Sequence, residues 1–438
     1  MAKIIQKYLF SWKEIESKGD LERLELVLQN LNDEKIISTL EKERKNGRDE
    51  YPIRAVWNSC IAGLVFQHPS IASLIRELKR NAQLRELCGF NPLLGEKAIP
   101  PAYVYTRFMK KLTAHQELID EMFNALVEKA KCLWPDFGKN LAGDGKAIQS
   151  FAKNKSSQKT ADGRRDIDAE FGVKSYTGLN RDGTVWKKNV SWFGYKLHLI
   201  ADTIYELPVA YEVTAAPKGE KAVMKQLLND MENTHSAILE ICRYFFLDKG
   251  YDCESLTTKL WDEYQIKPLI DIRNMWKDGE ETKLLPNSTN IVYDYKGIVS
   301  CYCPVSDEKK ELAFSGFEAK RQTLKYLCPM KAYGISCLGK KECSVCNTVR
   351  IPLKTNRRIF TPVARSSYKW KQLYKSRTAV ERINSRLDVS FGFENHTIRG
   401  LKKMKARCGL ALSVMLAMAV GRCQEKKEHL IRSLVRVA

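Results

Sequence analysis

Arg243-Tyr-Phe-Phe-Leu-Asp248-Lys-Gly250-Tyr-Asp252 decides the fold reading: four apolar residues stop abruptly on an acid, with a glycine two places on. A short aromatic-rich run bounded by a turn signal reads as a buried strand. An Asp at the C-terminal end of such a strand faces the crevice where open α/β sheets hold ligands. Upstream, Asn140-Leu-Ala-Gly-Asp144-Gly-Lys-Ala-Ile sets Asp144 between two glycines after an apolar pair. Taken singly, either Asp also reads as an ordinary turn former at a strand end.

A third acid lies downstream in Tyr374-Lys-Ser-Arg377-Thr-Ala-Val-Glu381-Arg-Ile-Asn. Spacings of three and four put Tyr374, Arg377 and Glu381 on one face of a helix. A carboxylate holds hard cations, and a guanidinium grips phosphate in a fork. The chain as a whole is strongly basic, with 73 Lys and Arg against 52 Asp and Glu and a net charge of +21. Such an excess points to a polyanionic partner. The basic residues are spread through all regions, which argues against a membrane surface.

Two strand-end acids and one helical acid, far apart in sequence, resemble the DDE-type insertion-sequence transposases. The Tyr-x2-Arg-x3-Glu pattern resembles that family's signature around its Glu. Phe193-Gly-Tyr-Lys-Leu-His-Leu-Ile-Ala-Asp202 and Glu206-Leu-Pro-Val-Ala look like the strand pair between the first two acids. The resemblance covers roughly residues 50 to 425. It implies an RNase H-like mixed α/β sheet with flanking helices, and Asp144, Asp248 and Glu381 as catalytic metal ligands. It also implies two Mg2+ or Mn2+ ions per site, and double-stranded DNA partners, both element terminal inverted repeats and target. Pairing two ends calls for two active sites, so a homodimer on DNA is expected. Tyr374, Arg377, Arg386 and His198 are the candidate phosphate contacts, and Trp186 and Trp276 are candidates to stack on a flipped base. One position departs from the signature, which usually has Lys seven places after the Glu. Here that position is Asp388, with Arg386 two residues earlier.

Length and punctuation divide the chain. Residues 1–133 are expected to form an N-terminal helical, DNA-end-binding region. Trp57, Ile61, Leu64 and Val65 share one helical face there, and Ser70 caps the next helix. Residues 134–273 hold the first part of the catalytic core. Residues 153 to 190 within it are polar and basic, with Lys153, Lys155, Lys159, Arg164 and Arg165 clustered, and read as a loop or ribbon. Residues 274–369 form a Cys-rich insertion, and 370–438 return to the core. The longest apolar run, Leu410 to Val420, is short of the ~20 residues that span a bilayer and reads as a buried helix. No leader pattern is legible in Met1-Ala-Lys-Ile-Ile-Gln-Lys, so a soluble intracellular chain is expected.

Thirteen cysteines in such a chain suggest thiols or a metal site rather than disulfides. Six fall in the insertion. Cys328, Cys337, Cys343 and Cys346 crowd a short loop, and the closing C-x2-C is a chelating knuckle. These four are the expected ligands of a structural Zn2+, with Cys301 and Cys303 as competing donors; free thiols and an iron–sulfur cluster are the other readings. The expected function is a transposase that cleaves element ends and joins them to target DNA. Its rivals are a transposase-derived DNA-binding protein without chemistry, and a metal-dependent nuclease.

Overall fold

A computed structural model describes residues 19–45, 50–152, 165–180, 182, 184–339, 341–343 and 348–433. Lys153, Lys155, Lys159, Arg164 and Cys346 lie outside these.

The central sheet is built on β1, Asn140–Gln149. It pairs antiparallel with β3, Val185–Asp202, and parallel with β5, Tyr244–Leu247. β5 pairs parallel with β6, Lys267–Ile270, and β4, Pro208–Ala215, pairs antiparallel with β3. Three antiparallel strands followed by two parallel ones, with helices between, give the RNase H-like order β4-β3-β1-β5-β6. The apolar β5 run is buried because helices cover both faces of the sheet, as parallel strands require.

β3 is twice the length its sheet position needs. Its N-terminal half leaves the sheet and pairs with β2, Glu170–Leu179, as a two-stranded ribbon. The changeover is at Gly194, where an added Cβ would lie 2.2 Å from the Ile148 carbonyl oxygen. Only glycine allows that approach.

The closing helix, Leu401–Gln424, organises the rest. It runs between the N-terminal helices Leu21–Asn30 and Gln116–Leu133 and strand β4. Gly409 lets it press on Tyr211 of β4, since a Cβ there would meet the phenol oxygen at 2.2 Å. Among the described residues it is the one helix long and apolar enough to cross a membrane, yet most of it is buried in this core. Each fully buried Leu, Val or Met along it contributes roughly 1.5–3 kcal/mol.

Between β6 and the Tyr368–Tyr374 helix lie two small antiparallel sheets with a separate core around Val299, Leu324, Ile351 and Phe360. Buried Asp252, just past the β5 turn, pairs with Arg358 at 2.7 Å. Arg365 donates to the carbonyl of Ile270 at 3.0 Å. These contacts fasten the segment to the end of the sheet that carries Asp248.

Candidate active site

The strand register brings the first two acids together. β1 and β5 are parallel, with Ala142 opposite Phe246. Asp144 and Asp248 each lie two residues further on. Equal offsets on adjacent parallel strands put both side chains on one face, about 5 Å apart at the backbone. Gly143 and Gly145 point to the other face, where Gly143 abuts Met224 and Leu247. The Thr378–Phe391 helix crosses the Asp144 face. Its Asn384 donates to Asp144 Oδ2 at 3.3 Å, and its Asp388 accepts from Lys146 at 2.5 Å. Glu381 lies one turn before Asn384, exposed at the rim, where Arg377 Nη2 donates to its Oε1 at 2.6 Å.

Burial pushes the Asp144 carboxyl up to about 6. Lys174 and the Gly145 N–H oppose the rise, while the nearby charges of Asp248 and Glu220 add to it. Asp248 is half-buried and accepts from the Gly250 N–H at 2.7 Å. Arg377 feels the charge of Asp144 as well as Glu381, and Tyr374 that of Asp248 and Glu381. Arg377 thus lies near both Asp144 and Glu381, and Tyr374 near both Asp248 and Glu381. Among the described residues no three carboxylate, imidazole or thiol groups already stand close enough to share an ion. The donor set still fits a hard cation, since neighbouring carboxylates that raise one another's charging cost are stabilised by a divalent ion.

Sequence spacing missed four neighbours of these acids. Glu220 begins the Glu220–Thr234 helix on the opposite face, and its carboxylate reaches the gap between Gly145 and Gly250. Lys196 holds it at 3.1 Å. Lys174 comes from the ribbon and donates to the Gly145 carbonyl at 3.0 Å. Lys146 and Asn384 were within reach of pattern reading: Lys146 shares the Asp144 face at i+2, and Asn384 follows Glu381 at i+3. Lys146 also puts a cation beside Asp388, where the family signature carries its lysine.

Several expected contacts are corrected. Tyr374 and Glu381 are not on one continuous helix. The Tyr368–Tyr374 helix passes through a 3-10 turn, Lys375–Arg377, before the next helix starts at Thr378. The Tyr374 hydroxyl donates to the Leu247 carbonyl at 3.1 Å and its ring stacks on Trp370, so it braces the helix beside Asp248. His198 is fully buried, with Nε2 3.0 Å from Thr214 Oγ1. Burial lowers its imidazole to about 4, so it packs as a neutral ring and does not meet phosphate. Arg386 is turned away from the acids, toward Glu206, with its guanidinium 3.5 Å from that carboxylate. Burial draws it down to about 10. Trp276 packs edge-on against Tyr293, whereas Trp186 stands 41% exposed on the ribbon. Of the expected zinc ligands, Cys328, Cys337 and Cys343 gather in one place with Cys301 and Cys303.

Residues 166–417 match the family model described as Transposase DDE domain, and residues 10–111 match one described as Transposase domain (DUF772). The first match covers more than half of the 438 residues, and the chain belongs to the DDE-domain transposases. That match includes Asp248 and Glu381, and Asp144 precedes it. No curated protein matches the chain. Among solved structures it is similar to the piggyBac transposase in a cryo-EM synaptic complex with hairpin DNA. That likeness has 10% identity and a TM-score of 0.39, over 96% of this chain and 80% of that one. It is too distant to carry a conclusion.

The Asp144 environment predicts a pH-dependent stability. Its folded value is raised from 3.8 to about 6, so the folded state is destabilised as pH rises from about 4 to 6, and the cost is complete above 6. Asp144→Asn should stabilise the metal-free protein by up to about 3 kcal/mol at pH 7 and by little near pH 4. Urea unfolding of both proteins at the two pH values, in chelator, measures this. An equal difference at both would mean the carboxyl is not strained by burial.

Proposed function

We propose that this chain cuts the ends of a DNA element and joins them to target DNA. The observation carrying this is the matched position of Asp144 and Asp248 on adjacent parallel strands, beneath the helix that bears Glu381. Asp144, Asp248 and Glu381 would hold Mg2+ or Mn2+. When bound, such ions activate the attacking oxygen and stabilise the leaving one in an in-line displacement at phosphorus.

The chain's own groups do the positioning. Arg377 orients Glu381 and leaves guanidinium N–H groups for a phosphate oxygen. Asn384 fixes the rotamer of Asp144. Lys174 carries positive charge from the ribbon to the strand that bears Asp144. The ribbon itself exposes Lys187, Lys188 and Trp186, a width and charge suited to a DNA groove. In the N-terminal helices a cavity of about 500 Å³ is lined by Tyr51, Tyr103, Arg44, Arg107 and Lys111. Its cationic rim supports DNA-end contact there. A homodimer on DNA belongs to this reading, since two ends need two sites.

Incubation with an end-labelled terminal-repeat duplex and a target plasmid, in magnesium, tests the proposal. Labelled plasmid is expected. Binding without cutting would mark a DNA-binding derivative, and cutting without joining a nuclease.

A further inference from the structure

The segment after β6 has a thiol cluster that the active site does not use. Cys301 lies in the strand Val299–Tyr302 of one small sheet, and Cys303 directly follows it. Cys328 follows the strand Thr323–Leu327 of the other. Cys337 and Cys343 lie further on, before the strand Thr348–Pro352. These five thiols, from separate stretches of chain, line one cavity of about 20 Å³. That volume suits a single ion or water.

The Sγ atoms of Cys303 and Cys337 are 4.0 Å apart. A disulfide needs ~2.05 Å, whereas a tetrahedron with ~2.3 Å zinc–sulfur bonds has an edge of roughly 3.8 Å. The Ser306 hydroxyl and the N–H groups of Val305, Ser306 and Gly339 face the Cys303 sulfur, and the sulfurs of Cys328, Cys343 and Cys337 lie near that of Cys301. Hydrogen-bond donors around a sulfur favour its thiolate, the form that binds metal. Lys310 touches the Ser336 carbonyl at 2.8 Å beside Cys337, and Asn290 donates to Cys343 Sγ at 3.6 Å. Such outer contacts orient metal ligands. No three of these sulfurs already meet at one point, so binding requires thiol rotation into the shared cavity.

We infer that this cluster binds one tetrahedral zinc ion, with Cys303 and Cys337 as two ligands and the others drawn from Cys301, Cys328 and Cys343. The ion would tie the ends of both small sheets together, which a core of this size needs. This differs from the loop-only set read from spacing, because Cys303, next to the strand Val299–Tyr302, supplies a ligand.

The test uses the full chain, purified under reducing conditions without added metal, and is read without DNA. Elemental analysis should give one zinc per chain. Cys303→Ser with Cys337→Ser should lower that at least about tenfold, since two of four ligands are lost. Cys253→Ser with Cys423→Ser, outside the cluster, should leave it unchanged. Should the first double variant precipitate, cobalt(II) exchange into the unaltered protein gives the answer. A thiolate-to-cobalt charge-transfer band is expected. Near-zero zinc with freely reactive thiols, full zinc in the Cys303/Cys337 variant, or a cobalt spectrum without that band would overturn the inference.

Discussion

Asp144→Ala, Asp248→Ala and Glu381→Ala should each slow DNA cleavage by at least about 10³-fold while leaving DNA affinity within a few-fold. The two properties separate because they rest on different parts of the molecule. Affinity comes from many phosphate contacts by a chain of net charge +21, and losing one acid cannot weaken it much. Chemistry needs the carboxylates in one crevice. None of the three anchors the fold. Asp144 is strained by burial and by its acidic neighbours, Asp248 caps only its own turn, and Glu381 is exposed. Single-turnover cleavage and gel-shift binding on the same preparations measure both. Near-normal cutting by any one variant removes that residue from the site. Joint loss of binding and cooperative unfolding assigns it to the fold instead.

Arg377→Lys should cost about 10–100-fold in cleavage rate, or ~1.4–2.7 kcal/mol of barrier, and Arg377→Ala more. The guanidinium sits in the 3-10 turn before the Glu381 helix, and one of its nitrogens is committed to Glu381 at 2.6 Å. Its ring-face contact with Tyr374, 5.9 Å to the centroid, holds the plane in place. Lysine keeps the charge but can neither stack nor grip carboxylate and phosphate together. Saturating magnesium is needed in the assay, so that weaker ion binding is not read as slower chemistry. Equal rates for the parent and the lysine variant would make Arg377 a surface charge.

Asp248 was legible because burial and turn chemistry are written locally, whereas Asp144, expected at a strand end, lies in the middle of β1. Tyr244 to Leu247 is apolar without a break, and Gly250 closes it. The helix-borne part was legible only in outline. Spacing shows that Arg377 and Glu381 meet, but neither the 3-10 turn at Lys375–Arg377 nor the reach of Tyr374 to the Leu247 carbonyl on another element is written in it. His198 and Arg386 were misjudged for a related reason. Which side of a strand or helix meets solvent is decided by the layers packed on it: the Glu220–Thr234 helix packs against β3 near His198, and the Glu206 carboxylate draws in Arg386. Glu220 comes from the far face of the sheet through the gaps at Gly145 and Gly250, a route no spacing records. Cys301 and Cys303 join the other thiols only after the two small sheets have formed.

The most direct measurement is a metal-specificity switch at Asp248. Asp248→Cys replaces a hard oxygen ligand with a thiolate, which manganese accepts better than magnesium. Single-turnover cleavage should be lost in magnesium. In manganese it should recover at least about tenfold relative to the manganese-to-magnesium ratio of the unaltered protein. A folded, DNA-binding Asp248→Cys protein that cuts normally in magnesium, or is equally inactive in both metals, would contradict direct metal ligation by this acid.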